Sequence, residues 1–265
     1  MPASLPLPGR FDLTGRTALV TGAGSPTGIG FATAAALGEL GAAVLITATT
    51  DRVHDRVAEL RRAGIDADCR VTRLDAEADA AALAASWRVP PTIVVHNAGM
   101  VAVGEEMPGG DGTMDPAQWE AGLRVNLTSA FLVTRAVLPG MRRAGWGRIV
   151  AVSSVTGPVM ASRGDVAYAA AKAGMTGLVR ALAVDEAGAG ITANAVAPGW
   201  IATGSQLESE AREGRLVPAG RSGTADEVAS AIAWLCSPGA AYVTGRRSSS
   251  TAATASRSSA SRTER

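Results

Sequence analysis

Thr21–Gly30 reads TGAGSPTGIG, directly after the apolar run Thr17-Ala18-Leu19-Val20. A short apolar run that stops at glycine reads as a buried strand. The residues beyond Gly30 are rich in Ala and Leu, the composition of a helix. Gly22, Gly24, Gly28 and Gly30 therefore fall between a strand and a helix. Glycine at that junction lets the backbone turn tightly and approach a pyrophosphate, whose charge rests on the N-terminus of the next helix. The first glycine sits two residues too far from the last pair for the usual spacing. Two readings stand: a nucleotide loop that has been lengthened, or an ordinary flexible turn. In the first, Pro26-Thr27 bulges outward, the glycines at both ends stay in register, and Ser25 or Thr27 offers a hydroxyl to a phosphate. Ile29, between Gly28 and Gly30, is counted with the cofactor-binding residues of this loop.

Outward from this loop the chain alternates. Strand-like runs fall at Thr17–Thr21, Ala43–Thr47, Thr92–His96, Gly147–Ser153 and Ile191–Val196. Helical stretches fall at Phe31–Leu40, Arg52–Ala63, Ala78–Trp87, Pro116–Ala144, Tyr168–Ala187 and Ala225–Cys236. Strict alternation predicts βαβ units and an α/β fold, with a parallel sheet covered by helices on both faces. With no Pro- or Ser-rich linker between residues 10 and 245, the reading is an N-terminal arm (1–10), one domain (11–245) and a tail (246–265). Nearly half the residues are apolar, enough for a sizeable core. The charge is almost balanced, 25 basic against 24 acidic residues, which gives no reason to expect nucleic acid or an anionic membrane as partner. Cys69 and Cys236 stand alone, with no metal-binding spacing, and no secretory signal is read; a cytoplasmic location is expected. No apolar run is long enough to span a bilayer.

The strand AAVLITATTDR tests the choice of nucleotide. A carboxylate at the strand's end would bind a ribose 2′-hydroxyl. Here Thr49-Thr50 occupies that place, followed by Asp51 and Arg52. Hydroxyls and an Arg suit a 2′-phosphate better, which favours NADPH (NADP); Asp51 keeps NADH (NAD) open. The same residues also read as helix caps.

Tyr168 and Lys172, in YAAAK, lie four apart, on one face of a helix. A free phenol ionises at about 10, too high for easy proton exchange at neutral pH, and a neighbouring cation lowers that value. The pair is a candidate general acid, although Tyr and Lys at this spacing are more often a plain surface pair. Other pieces favour the site. Ser153-Ser154 ends one strand and Asn97-Ala98-Gly99 another. Asn126 is mid-helix, a poor place for Asn unless its side chain has a task. Pro198-Gly199 ends the following strand. All fall at the carboxyl ends of strands or on adjacent helices, where open parallel sheets bind ligands.

In this order the motifs TGxxx…GIG, NAG, SS, YxxxK and PG resemble the short-chain dehydrogenase/reductase family over roughly residues 10–245. VPAGR at 217–221 and the TATT strand end are most similar to the β-ketoacyl-acyl-carrier-protein reductases within it. The resemblance implies a single Rossmann-type, doubly wound sheet and hydride transfer between NAD(P)H and a ketone or secondary alcohol. It implies that Tyr168 is the acid/base, that Lys172 lowers its pKa and holds the nicotinamide ribose, and that Ser154 orients the carbonyl. Asn126 would hold a water of the proton relay. Asn97 and Gly99 would line the cofactor, Asp75 the adenine, and Thr203, after Ile201, the carboxamide or phosphates. The substrate would be a small ketone or alcohol, free or carrier-bound, 3-oxoacyl compounds among the options. A homodimer or homotetramer is implied, through the helices Tyr168–Ala187 and Pro116–Ala144. A non-catalytic dinucleotide sensor on the same fold is the alternative; it would have no need of Asn126, Ser154, Tyr168 and Lys172 together.

The chain departs from that family in places. His96 replaces a usual Asn and reads as a packed strand-end histidine; His54 reads as surface. Ala76–Pro91 is short for its helix. The segment from Met100 to Trp119 is long for a connection, and Ala202–Leu216 reads as a mobile lid, with Trp200 and Met160 as walls or core. The tail from Arg246, RRSSSTAATASRSSASRTER, reads as disordered, with the family's last apolar strand absent and a sheet edge left unpaired. If the codons from Ser248 to Ala252 end in G, reading one base earlier turns Ser-Ser-Ser-Thr-Ala-Ala into Val-Val-Val-Asp-Gly-Gly. The tail is then an out-of-frame remnant of that strand.

Overall fold

The computed structural model of the chain describes residues 9–87, 89–99 and 109–250. Its elements are β1 (Thr17–Val20), α1 (Ile29–Glu39), β2 (Ala43–Ala48), α2 (Arg52–Arg62), β3 (Ala67–Val71), α3 (Glu77–Ala85), β4 (Ile93–His96), α4 (Pro116–Leu123), α5 (Ser129–Ala144), β5 (Gly147–Val152), α6 (Val166–Glu186), β6 (Ile191–Pro198), β7 (Ile201–Ala202), α7 (Glu208–Leu216), β8 (Gly223–Thr224), α8 (Ala225–Cys236) and β9 (Arg247–Ser250). Seven strands form one parallel sheet in the order β3-β2-β1-β4-β5-β6-β9, and β7 pairs with β8 beside it. The order reverses between β1 and β4, so the crevice outside their carboxyl ends is where such a sheet takes a ligand.

Alternate residues of each strand serve opposite faces. Ala18, Val20, Val44, Ile46, Ile93 and Val95 pack with Ala34 and Leu37 of α1 and Ile232 and Leu235 of α8. Leu19, Leu45, Val94 and Ile149 face the other side, against Val133 and Val137 of α5 and Met175 and Val179 of α6. Burial on both faces is why these strands read as unbroken apolar runs. Strand β3 escaped that reading because it is polar at every second position. Asp68 and Arg70 alternate with buried Ala67 and Cys69, a period-2 signal in the sequence ADCRV.

The stretch Pro116–Ala144 is helical throughout, as read, but is interrupted by a change of winding. Between α4 and α5 the chain makes one wide π-turn, Arg124–Thr128, with Asn126 at its centre. The start is capped by Asp115, whose carboxylate accepts from Ala117 N at 2.8 Å, with Pro116 in the first turn. The segment read as a wholly mobile lid also carries order. Ile201–Ala202 is tied to Gly223–Thr224 through the β7–β8 pairing, and Glu208–Leu216 is helical.

The reading of the tail is corrected at its beginning. Residues 247–250 are not unstructured: they form β9 and cover the edge of β6, Ala195 to Pro198 pairing with Arg247 to Ser250. The reason is backbone chemistry. An unpaired strand edge offers donors and acceptors to any chain beside it, whatever its side chains. The approach is fixed by Asn194, fully buried, whose Nδ2 donates to Val243 O at 2.7 Å and whose Oδ1 accepts from Arg246 N at 3.1 Å. Thr251 and the residues after it lie outside the described residues. The side chains of β9 are nonetheless polar, Arg247 followed by three hydroxyls. Ser249 and Ser250 border a cavity of about 290 Å³ together with Trp200, Ile201, Val217 and Val228. Replacing Ser248, Ser249 and Ser250 by Val is therefore expected to stabilise the chain by about 1–2 kcal/mol, through β-propensity and burial. A thermal melt should rise by a few degrees. We infer that an apolar strand belongs at this edge, and the third bases of codons 247–252 test the out-of-frame origin directly.

Candidate active site

The glycine loop leaves β1 in a geometry that requires glycine at two points. Gly22 has φ +70°, and a Cβ there would stand 2.7 Å from Ala98 Cα. A Cβ on Gly30 would lie 2.5 Å from Asn97 Nδ2 and 2.8 Å from Gly22 O. Asn97 is the staple: its Nδ2 donates to Thr21 O at 3.1 Å and to Gly22 O at 2.9 Å. Thr21 Oγ1 returns the tie by accepting from the backbone N–H of Asn97 and of Ala98. Thr21 carries no signal of this role in the sequence, since its partners are backbone groups of another strand. Gly28 caps α1, with Ile29 at its first position, and Pro26 and Thr27 stand exposed on the loop. The lengthened loop thus keeps Gly22 and Gly30 in contact.

Thr49 and Thr50 are exposed at the end of β2, and Thr50 Oγ1 accepts from Arg52 Nε at 3.2 Å. Asp51 occupies the N-terminal position of α2 with no side-chain cap bond. Asp75 pairs with Arg73 at 3.5 Å beyond β3. Pro198 and Gly199 close β6, Ile201 lies in β7, and Thr203 is half-buried with its Oγ1 3.1 Å from Ser205 Oγ. Thr49, Thr50, Asp51, Asp75, Pro198 and Gly199 thus lie at or just beyond the carboxyl ends of strands of the large sheet, and Ile201 and Thr203 lie in and after the β7–β8 pair beside it.

The residues read from the sequence as candidates for proton transfer converge more closely. Lys172 is buried on α6, and its Nζ donates to Val152 O at 3.0 Å. Burial without a carboxylate partner pushes its ammonium down to about 8. Asn126 Nδ2 donates to Gly122 O at 3.1 Å, while its buried Oδ1 has no partner among the described residues. A Cβ placed on Gly99 would lie 2.9 Å from that Oδ1 and 3.1 Å from Lys172 Nζ. Gly99, Asn126 Oδ1 and Lys172 Nζ thus lie close together. Tyr168 is half-buried one turn before Lys172, whose Nζ lies 5.5 Å from the phenol ring's centroid.

One expectation is reversed. The phenol of Tyr168 is held above its ordinary value, first by burial, with Asp165 and Glu210 adding to the effect and a hydrogen bond from Ser154 opposing it. Burial outweighs any lowering by Lys172, whose Nζ hydrogen-bonds the Val152 carbonyl. Tyr168 is accordingly a protonated phenol, the state that gives a proton. Ser154 Oγ also accepts from Thr156 N at 3.1 Å, which orients it. Ser153 is structural as read: its Oγ donates to Lys172 O at 2.8 Å and fixes α6 on β5. The long connection after β4 is only partly described; its end at Gly110 hydrogen-bonds Gly164 O and Val166 N–H, just before Tyr168. Residues 100–108 of that connection lie outside the described residues.

His96 is buried, with Nε2 2.8 Å from Thr134 Oγ1, and burial keeps it neutral down to about 4. It packs and does not titrate with the site. His54 is exposed, its Nδ1 3.4 Å from Cys69 Sγ. An unfolded His binds a proton below about 6.5. Between about 6.5 and about 4 the unfolded chain holds the additional proton, so stability falls as pH drops through that window, by roughly 3 kcal/mol for this group. Denaturant melts across this range should show the loss, and His96→Asn should reduce it.

A glycine loop at the switch point, with a phenol, a buried ammonium and an unpartnered Asn carbonyl brought close together, defines a nicotinamide-dependent oxidoreductase of the short-chain type. The family model described as enoyl-(acyl carrier protein) reductase matches residues 22–249, and the chain belongs to this short-chain dehydrogenase/reductase family. It is 41% identical over 244 residues to the 3-oxoacyl-[acyl-carrier-protein] reductase FabG of Pseudomonas aeruginosa, covering 88% of this chain and 95% of that protein. Among solved structures it is similar to gluconate 5-dehydrogenase from Burkholderia cenocepacia in complex with NADP and tartrate, with TM-score 0.81, 31% identity and 91% and 95% of the two chains covered. A variant of actinorhodin polyketide ketoreductase with NADPH is matched at TM-score 0.81, 34% identity and 89% and 96% coverage. Among the described residues no helix is long and apolar enough to cross a membrane.

Proposed function

We propose that this chain reduces a ketone of the 3-oxoacyl class to the secondary alcohol, with NADPH as the preferred partner and NADH as the weaker one. The observation that carries the reading is the convergence of Gly99, Asn126 Oδ1 and Lys172 Nζ beside Tyr168. The residues present fit a dinucleotide. Asn126 Oδ1 is buried with no partner among the described residues, and Thr49, Thr50 and Arg52 present hydroxyls and a cation where a 2′-phosphate would lie. Reduced nicotinamide, when bound, supplies the hydride.

This chain's own residues supply the rest. Ser154 donates to the ketone oxygen and orients it. Tyr168 gives its proton to that oxygen as negative charge develops there. Lys172 contributes the cationic field and hydrogen bonds to a ribose, and Asn126 Oδ1 accepts from a water that returns a proton from solvent. Asn97, Ala98, Gly99, Pro198, Gly199, Ile201 and Thr203 line the groove, and Asp75 faces the adenine end. Carrier-bound and free acyl substrates share the reacting group, so both fit the reading. Exposed Phe131 on α5 and Val184 on α6 support assembly of copies through those helices, as a dimer or tetramer. Two free, buried cysteines agree with a cytoplasmic setting.

The test is a panel of ketones including 3-oxoacyl thioesters, run with NADPH and NADH side by side. Cofactor oxidation fastest with a 3-oxoacyl thioester and NADPH is the expected outcome. Cofactor binding without turnover of any ketone would favour the sensor instead.

A further inference from the structure

The lengthening of the glycine loop has a counterpart across the groove. Gly28 N–H donates to Ser25 O at 3.2 Å, so Ser25–Gly28 closes as a tight turn with Pro26 and Thr27 exposed at its tip. From that tip Thr27 Oγ1 accepts from Gly204 N–H at 2.8 Å. Gly204 follows β7, where the chain leaves the sheet edge. A Cβ on Gly204 would stand 2.8 Å from Thr27 Oγ1, so the approach is closed because the residue is glycine.

The segment around Gly204 is otherwise held only at its ends. Its base is tied by the β7–β8 pairing and by Gly223 N–H donating to Trp200 O at 2.9 Å. Its far end is tied by Gln206 Nε2 donating to Ser222 Oγ at 3.0 Å. Between these anchors the one hydrogen bond reaching the glycine loop, among the described residues, is the one to Thr27. The lengthened turn thus puts Thr27 Oγ1 nearest Gly204, with Ser25 Oγ behind it.

We propose that Thr27 is a positioning residue that clasps residues 203–205 to the glycine loop, closing the groove between them so that a bound dinucleotide departs only after this hydrogen bond opens. The inference rests on the dinucleotide reading of the site. Thr27→Val keeps the shape of the side chain and removes the hydroxyl. One exposed hydrogen bond supports a change of roughly three- to tenfold. In the cofactor-free chain, the Gly204 amide of Thr27→Val should exchange with deuterium faster by about that factor, while Thr27→Ser restores protection. In a chase experiment NADPH should leave Thr27→Val faster to the same extent, and Gly204→Ala, which opens the contact from the other side, should do likewise.

Unchanged exchange at Gly204 in Thr27→Val overturns the clasp. Faster exchange with unchanged NADPH release overturns its role in closing the groove. Weaker NADPH binding with Gly204 exchange unchanged means that the hydroxyl serves a phosphate directly, and also overturns it. A wild-type chain that binds no NADPH refutes the dinucleotide reading itself, an outcome distinguishable because the exchange is read without cofactor.

Discussion

Tyr168→Phe is expected to lower kcat by roughly a thousandfold, within the range a positioned general acid contributes, with NADPH affinity changed less than about threefold. The ring and its packing survive the substitution, so only the proton donor is lost. The effect belongs to the chemical step because the phenol is held protonated by burial and by nearby Asp165 and Glu210. Single-turnover reduction measured beside a binding titration separates the two parameters. Retained turnover would mean that the proton arrives from another group, and Ser154 would be the first to examine.

Lys172→Met is expected to move activity and stability in opposite directions. Turnover should fall about a hundredfold or more, since the cationic field at the reacting oxygen disappears. Stability should rise by about 1–3 kcal/mol, because a buried ammonium without a carboxylate is replaced by an apolar chain of similar length. The rise is less than full relief because Val152 O loses its donor. The pH dependence checks the cause. The folded ammonium titrates at about 8 against 10.5 in a free lysine. Between those values the unfolded chain binds the additional proton, so wild-type stability climbs as pH rises through that window. The Met variant should lack that climb. Wild-type activity should fall as pH rises past about 8, as the cation is lost. A Met variant less stable than wild type at pH 7 would show that Lys172 is structural first.

Catalytic pieces were legible because chemistry limits which residues serve. Phenol and ammonium four apart on a helix, glycines between strand and helix, and an Asn out of place in a helix are local patterns. Asn126 illustrates how far this reached: its oddity was visible, but the π-turn that turns Oδ1 toward Lys172 was not. The direction of Tyr168's shift was misread for a related reason. Spacing on a helix gives proximity, whereas the pKa depends on what else surrounds the group, here burial first and then Asp165 and Glu210.

The sequence by itself determined the alternating parallel fold and singled out the sheet edge and the phenol proposed as site and acid, because periodicity and residue chemistry are local properties. Tertiary structure alone decided that serines 248–250 form a strand, that Thr27 meets Gly204, and that Lys172 serves a carbonyl. Each of those contacts joins groups distant in the chain, and a free sheet edge or a buried lone pair takes whatever partner the fold brings within reach.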